Sequence, residues 1–361
     1  MGVRWWRVGD GDIGAFVVAG SDWTDPTSGL PIVDGPGYDG QFFHRLAVAP
    51  FDPTERAAGT VLDSTARVGR IGYPVLARVI GVTGLPAEWA LVVVNLIAVT
   101  ALGWLGGRIA RAAGRHAVWG LVLAVHVGFA FTISRNLSEV VVSLAVAGGL
   151  WAAHTRHPLL AGALLSWAVI TRETALAIVA VIALTELAWI VRRRRPIAPD
   201  DVVWFVPGVV FIVWQLAAGS RWGTIPMLAG GTGSLRPPGV ALIDQIPTLV
   251  DPSWLLDDPL HVLKALQVLV LLVIVGSALV ALRRSRVGSP LTPALIGAVL
   301  GMLIVDVPDG IWLDRNDLRM FADVYIVAMM VLLVSPARLT LRAVGVGACT
   351  VAAAVSFVVG L

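Results

Sequence analysis

The chain has 361 residues, of which 57% are hydrophobic and 14% are charged, and its formal net charge is +3. A soluble domain has roughly one quarter of its residues charged, whereas long apolar runs such as those of this chain are typical of transmembrane helices. The basic residues lie mostly between these runs, a pattern that orients a membrane protein and argues against nucleic acid as a partner. The single cysteine, Cys349, excludes an internal disulfide and a thiolate metal site.

The first 86 residues differ from the rest, because they are rich in glycine, proline, aspartate and arginine and contain no full-length span. Apolar runs follow, several of them shorter than the roughly 20 residues that a straight span needs. These runs cover residues 88–107, 117–134, 139–154, 158–171, 174–191, 202–219, 260–282, 290–306, 320–335 and 340–360. We therefore expect two parts: an N-terminal segment, 1–86, and an all-α, polytopic transmembrane helical bundle of about ten spans, 87–361.

The connections between the runs alternate in character. One set carries arginines and no acidic residue until Asp200, and it lies around residues 108–115, 156, 192–195, 283–286 and 338–342. The other set holds most of the remaining acids and lies at 134–139, 171–174, 219–259 and 306–319. The positive-inside rule makes the first set cytoplasmic. Residues 1–86 and the second set of loops are then extracytoplasmic, in a multi-pass protein of the inner or plasma membrane.

This topology raises a question about export of the polar N-terminal segment. Residues 1–35 contain no apolar stretch typical of a secretory signal. Either the true start lies upstream and includes a first span, or the first ordinary span carries the segment across the membrane. We favour the upstream start.

The first segment of chemical interest, residues 37–45, contains glycines close to Asp39 that leave the backbone free to turn tightly. Apolar residues then recur at helical spacing at Phe42, Leu46 and Ala49, which predicts a short helix on the membrane surface with Asp39 at its N-terminus. The helix dipole favours the carboxylate there, which suits a general base. The alternative is that Asp39 is only an N-cap.

The second segment is Arg70-Ile71-Gly72-Tyr73-Pro74. Pro74 is typical of a helix start, and the apolar residues after it predict a second interfacial helix. Arg70 and Tyr73 are candidates for contact with a lipid phosphate and a sugar. The alternative is that Arg70 is a snorkelling arginine and Tyr73 a tyrosine of the interfacial aromatic belt.

Two turns each combine an arginine with a glutamate: Arg135 with Glu139, and Arg172 with Glu173. The runs 139–154 and 158–171 would rise only about 20–24 Å as helices, whereas the hydrocarbon core is about 30 Å thick. The turns are therefore expected below the outer surface, where ionisable groups usually line a cavity. The arginines are candidate phosphate ligands oriented by the glutamates; the alternative is two structural ion pairs.

The loop 306–319 is acidic and ends at Arg319, which opens an apolar run and is a further candidate phosphate ligand. A solvated loop is the default interpretation. Asp306 and Asp309 are candidate ligands for a divalent cation, although their spacing is not diagnostic. We expect no other cofactor.

Taken in order, these motifs resemble bacterial integral membrane proteins of cell-surface glycopolymer formation, which look like members of the GT-C glycosyltransferase superfamily. The resemblance covers roughly residues 30–190. It is carried by Tyr38-Asp39-Gly40-Gln41-Phe42-Phe43, by Arg70-Ile71-Gly72-Tyr73-Pro74, by Ser134-Arg135 with Glu139, and by Thr171-Arg172-Glu173-Thr174.

The resemblance implies a GT-C-like fold and transfer of a sugar from a polyprenyl-phosphate carrier to an envelope glycan or glycolipid on the extracytoplasmic face. It implies that Asp39 deprotonates the acceptor hydroxyl with inversion at the anomeric carbon. It also implies that Arg172, Arg135 and Arg319 stabilise the departing lipid phosphate, and we add Gln41 to the substrate-binding candidates. The alternatives are a transporter or flippase of lipid-linked glycans and a non-catalytic subunit of glycopolymer assembly.

Overall fold

The computed structural model describes residues 10–194, 197–229, 235–284, 290–306, 310–313, 317–336, 340 and 342–349. The described part is mostly helical, as the apolar runs predict. Its strands are pairs of two-residue segments in the N-terminal region: β1 (Ala19–Gly20) parallel to β2 (Ile32–Val33), and β3 (Arg56–Ala57) antiparallel to β4 (Thr60–Val61).

Buried polar side chains hold the N-terminal region together, since strands this short contribute few backbone hydrogen bonds. The Gln41 side chain is fully buried; its Oε1 accepts from Gly20 N at 3.0 Å and from Thr24 Oγ1 at 2.9 Å, and its Nε2 donates to Pro36 O at 2.8 Å. Arg45, which is also buried, donates to three backbone carbonyls. Backbone groups outside regular structure are thereby satisfied.

Two short helices frame the polar N-terminal region, and both were predicted from apolar spacing. They are α1 (Gly40–Val48) and α2 (Gly72–Gly81). Helix α1 begins at a glycine because a Cβ on Gly40 would lie 2.4 Å from Arg135 O and 2.6 Å from Val17 O. This close approach places the start of α1 directly against the turn at 134–139.

Three further helices are long and apolar enough to cross a membrane: α3 (Ala87–Ala112), Ala175–Arg193 and Pro259–Arg284. Their length and mean hydropathy carry this assignment. In chain order after α3, the helices are α4 (Val127–Ile133), α5 (Glu139–His154), α6 (Pro158–Thr171), α7 (Ala175–Arg193), α8 (Pro199–Val202), α9 (Val206–Trp222), α10 (Pro226–Ala229), α11 (Val240–Leu249), α12 (Pro252–Asp257), α13 (Pro259–Arg284), α14 (Leu291–Ile304) and α15 (Ala322–Val334).

The expectation of about ten spans is therefore met only in part. The run 117–134 divides into a 3₁₀ segment, Ala117–Leu123, and helix α4, because His126 Nδ1 accepts from Gly128 N and caps a new helix. Close packing also holds the 3₁₀ segment, since a Cβ on Gly120 would lie 1.9 Å from Gly107 N. The run 340–360 falls mostly outside the described residues.

Helix α15 lies at the centre of the described bundle, and nearly all of its side chains are buried. It packs against α5, α13 and α14. Several large apolar side chains of α13 are exposed, among them Leu269 and Val273. An apolar exterior of this kind suits a lipid surrounding.

Candidate functional site

Asp39 lies at the N-terminus of α1, as predicted, but its side chain makes no capping hydrogen bond. Its carboxylate instead faces two arginines. Oδ1 lies 2.9 Å from Arg67 Nη1, and Oδ2 lies 3.7 Å from Arg319 Nη2. The side chain is 19% exposed, so it combines ionic partners with partial access from outside.

The charges around Asp39 keep it ionised. Burial raises the pKa of its carboxyl group and Glu139 acts in the same direction, but the positive charges of Arg67, Arg319 and Arg70 together outweigh both effects. The pKa therefore lies below its usual range. At neutral pH the group is a carboxylate that is able to accept a proton.

Arg67 is a site residue that sequence reasoning missed. It lies in the 3₁₀ segment Thr65–Arg70, where Nε and Nη2 donate to the two carboxylate oxygens of Asp63 at 2.9 and 2.7 Å. Its guanidinium carbon also lies 4.8 Å from the centre of the Phe42 ring. The available signal was the spacing of Arg67 and Arg70, three residues apart ahead of a predicted helix.

Glu139 is the buried anion to which the two arginine–glutamate turns and Arg319 connect. Its Oε1 accepts from both Arg172 Nη1 and Arg319 Nη1, and its Oε2 accepts from Thr132 Oγ1 at 3.2 Å. The side-chain exposures of Glu139, Arg172 and Arg319 are 1%, 3% and 8%. Such a buried cluster is stable only while its charges stay matched.

The glutamates of the two turns do not pair with the arginines of their own turns. Glu139 pairs with Arg172 from the other turn, and Glu173 pairs with Arg70, whose Nε donates to Glu173 Oε2 at 2.9 Å while Nη2 donates to Oε1. Burial raises the pKa of Glu173, but the charge and hydrogen bonds of Arg70, together with the charge of Arg172 and a backbone hydrogen bond, outweigh that effect and hold the pKa at about 2. The Glu139–Arg172 and Glu173–Arg70 pairs thus each connect two separate segments of the chain, and neither pair lies within a single turn.

Arg135 and Arg319 both lie close to the Tyr38 ring. Their guanidinium carbons lie 5.8 and 5.5 Å from its centre, and Arg135 also lies 3.7 Å from the centre of the Phe131 ring. Arg319 Nη2 donates to the Tyr38 hydroxyl at 3.3 Å. Cation–π contacts of this type fix the direction of a guanidinium group without neutralising it.

Tyr73 and Gln41 lie in positions that do not fit contact with a substrate. Tyr73 is fully buried; its hydroxyl donates to Leu91 O at 2.9 Å and accepts from Asn95 Nδ2 at 2.9 Å. The side-chain amide of Gln41 is used inside the N-terminal region. Both residues have a structural role, because their polar groups already have hydrogen-bond partners within the fold.

Asp323 is a second residue that sequence reasoning missed. It lies in the first turn of the apolar helix α15, it is buried, and its Oδ2 accepts from Thr174 Oγ1 at 2.6 Å. A lone carboxylate in an apolar run was the available signal. Its contact ties α15 to the second arginine–glutamate turn.

The proposed divalent-cation ligands gain no support from the described residues. Asp306 accepts from Gln245 Nε2 and Ile311 N, each at 3.3 Å, and pairs with Arg236 Nε at 2.9 Å. Asp309 lies outside the described residues. Within the part of the chain that is described, no group of three or more histidine, cysteine, aspartate or glutamate side chains is placed to hold a metal ion.

The site thus combines the partly exposed carboxylate of Asp39 with several guanidinium groups in a largely buried setting. Chemically, the carboxylate is able to take a proton and the guanidinium groups to bind a phosphate. Comparison of the chain with protein-family models, with curated proteins and with solved structures gives no match.

Proposed function

We propose that this protein is an inverting, GT-C-type glycosyltransferase that moves a sugar from a polyprenyl-phosphate donor to an envelope glycan or glycolipid on the extracytoplasmic face. The observation that carries the proposal is the position of Asp39. It lies at the start of a short helix, is partly exposed, and faces Arg67 and Arg319. A carboxylate beside guanidinium groups is the pairing that such a transfer requires.

The reaction begins at the acceptor hydroxyl. Its oxygen bonds to the anomeric carbon while the bond from that carbon to the phosphate oxygen breaks, and the electron pair leaves with the polyprenyl phosphate. The hydroxyl proton passes to Asp39. Because the pKa of Asp39 is below its usual range, the carboxylate is a weak base, and proton transfer must accompany the departure of the phosphate.

The arginines supply positive charge where negative charge develops. Arg319 is the best placed, since it contacts Asp39, Tyr38 and the buried Glu139. Arg135 also lies close to the Tyr38 ring. Guanidinium groups that the fold holds in place stabilise a departing phosphate with little reorganisation. Arg172 and Arg70 add two further guanidinium groups, each paired with a glutamate.

The test is a transfer assay with purified protein in lipid nanodiscs. Labelled polyprenyl-phosphate sugars are the donors, and wild type is compared with Asp39→Asn. We expect wild type to transfer and the variant to lose about 10²–10⁴-fold in rate, the usual contribution of a general base. Unchanged transfer by folded Asp39→Asn would remove Asp39 as the base.

The same preparation separates transfer from transport. Reconstituted vesicles with labelled lipid in one leaflet report movement between leaflets. Movement of the labelled lipid without any transfer would favour a transporter of lipid-linked glycans and would contradict the proposal.

A further inference from the structure

The two carboxylate oxygens of Asp39 have different surroundings. Oδ1 is at hydrogen-bond distance from Arg67 Nη1, at 2.9 Å. Oδ2 lies 3.7 Å from Arg319 Nη2, which is beyond a hydrogen bond. The ionic neighbour of Oδ2 therefore lies farther away than the ionic neighbour of Oδ1.

Arg67 is itself held in one orientation. Its Nε and Nη2 both donate to the carboxylate of Asp63, and its guanidinium group lies over the Phe42 ring. Its Nη1 lies 2.9 Å from Oδ1 of Asp39. A guanidinium group fixed on two sides is a rigid donor, which a flexible ammonium group is unable to reproduce.

Arg319 is held differently, because its nitrogens serve several partners. Nη1 donates to Glu139, and Nη2 donates to the Tyr38 hydroxyl at 3.3 Å. The two arginines therefore hold Asp39 unequally.

We infer that Arg67, braced by Asp63, is a positioning residue that holds Oδ1 of Asp39 and leaves Oδ2 to take the proton of the acceptor hydroxyl. The inference rests on the proposed function and names the working oxygen of the base. In the transfer step, the proton moves from the hydroxyl to Oδ2, and Oδ1 keeps its ion-pair contact with Arg67. Arg67 does not touch the reacting atoms, and it acts through Asp39.

The charge around Asp39 gives this role a measurable signature. The charged groups that influence the carboxylate are Arg67, Arg70, Arg319 and Glu139, and Arg67 has the largest effect after burial. Loss of Arg67 raises the pKa of Asp39. Loss of Asp63 keeps the arginine charge and frees the arginine from its brace, so the pKa does not rise.

Three variants separate charge from positioning: Arg67→Gln, Arg67→Lys and Asp63→Asn. A water-soluble carbodiimide with an amine nucleophile modifies protonated carboxyl groups, and peptide mass spectrometry at a series of pH values gives the midpoint for Asp39. Transfer assays over the same pH range give kcat, KM and the acid limb of kcat/KM. Arg56→Gln is the matched control, since it removes an exposed arginine–aspartate pair from the same region.

We expect Arg67→Gln to move the modification midpoint and the acid limb to higher pH and to lower kcat about 10²-fold, the scale of a misplaced catalytic group, with KM for the donor nearly unchanged. Arg67→Lys should restore the midpoint without restoring kcat. Asp63→Asn should lower kcat without raising the midpoint, and Arg56→Gln should match wild type.

A wild-type midpoint and a wild-type kcat in folded Arg67→Gln would overturn the inference, as would full recovery of kcat in Arg67→Lys. If Arg67→Gln does not fold, Arg67→Lys and Asp63→Asn still test the inference. In each of these variants we expect a reduced kcat and a modification midpoint no higher than that of wild type. Absence of transfer by wild type would refute the proposed function, whereas the modification midpoints would still show whether Arg67 holds Asp39.

Discussion

Glu139 and Arg319 form a buried ion pair between the start of α5 and the 3₁₀ segment Asp317–Phe321. The Glu139 oxygen that accepts from Arg319 also accepts from Arg172. One carboxylate thus joins parts of the chain that are far apart in sequence. It also fixes the arginine that approaches Asp39, so the stability of the core and the geometry of the site depend on the same contact.

Glu139→Gln should destabilise the protein strongly, because it leaves two buried guanidinium groups without their anion. Breaking a buried pair in this way costs about 3–5 kcal/mol. The measurement is the free energy of unfolding in detergent. Asp244→Asn is the control, since the Arg236–Asp244 pair is exposed on both sides, with side-chain exposures of 48% and 55%, and its loss should cost much less. Equal losses in the two variants would contradict the buried role of Glu139.

Gly40→Ala should lower the yield of folded protein. The added Cβ would meet backbone atoms of Arg135 and Val17, which are unable to move as a side chain would. Overpacking of this kind typically costs about 1–3 kcal/mol. Gly81→Ala is the control, because nothing lies within 4 Å of its added Cβ. The yield of monodisperse protein and the unfolding free energy report both, and a normal Gly40→Ala protein would refute the close approach.

Tyr73→Phe should reduce stability and leave catalysis intact. The hydroxyl lies between Leu91 O and Asn95 Nδ2, so its removal should cost about 1–3 kcal/mol of unfolding free energy. Because Tyr73 is buried, kcat and KM per folded molecule should equal those of wild type. A raised KM for the donor sugar would instead support the contact between Tyr73 and the substrate that the sequence motif predicted.

The pair between Arg70 and Glu173 should make stability fall in acid. The pKa of Glu173 in the folded protein is about 2, below its ordinary value of 4.5. Its contribution is therefore complete above 4.5 and is lost as pH falls towards 2. Thermal unfolding measured from about pH 6 to about pH 3 should show the difference between wild type and Glu173→Gln shrinking with acid. A difference that does not change with pH would contradict the ion pair.

The topology has its own test. In a Cys349→Ser background, Asp34→Cys should react with an impermeant thiol reagent in intact cells, because residue 34 is exposed and its region is predicted to face outward. Ala112→Cys, at the end of α3 beside the arginines, should react only after lysis. Reaction of the second position in intact cells, with none at the first, would reverse the orientation.

Composition alone predicted a helical membrane protein, because long apolar runs are stable as helices in lipid, where every backbone group must be satisfied within the segment. Local patterns also predicted the short helices that begin near Asp39 and Pro74. Periodicity failed at residues 117–134, where the run is apolar throughout. Apolar residues are equally compatible with one helix or two, and the cap at His126 and the contact between Gly107 and Gly120 decide between them.

The sequence by itself determined which residues of the site carry charge, because polar groups stand out in an apolar chain. Only the tertiary structure decided their partners. Arg67 pairs with Asp39, and Arg70 pairs with Glu173. Glu139 pairs with both Arg172 and Arg319. The reason is physical: opposite charges in a buried setting pair with whichever partner the packing of helices brings within a few ångströms, and neighbours in sequence have no advantage once a turn points their side chains apart.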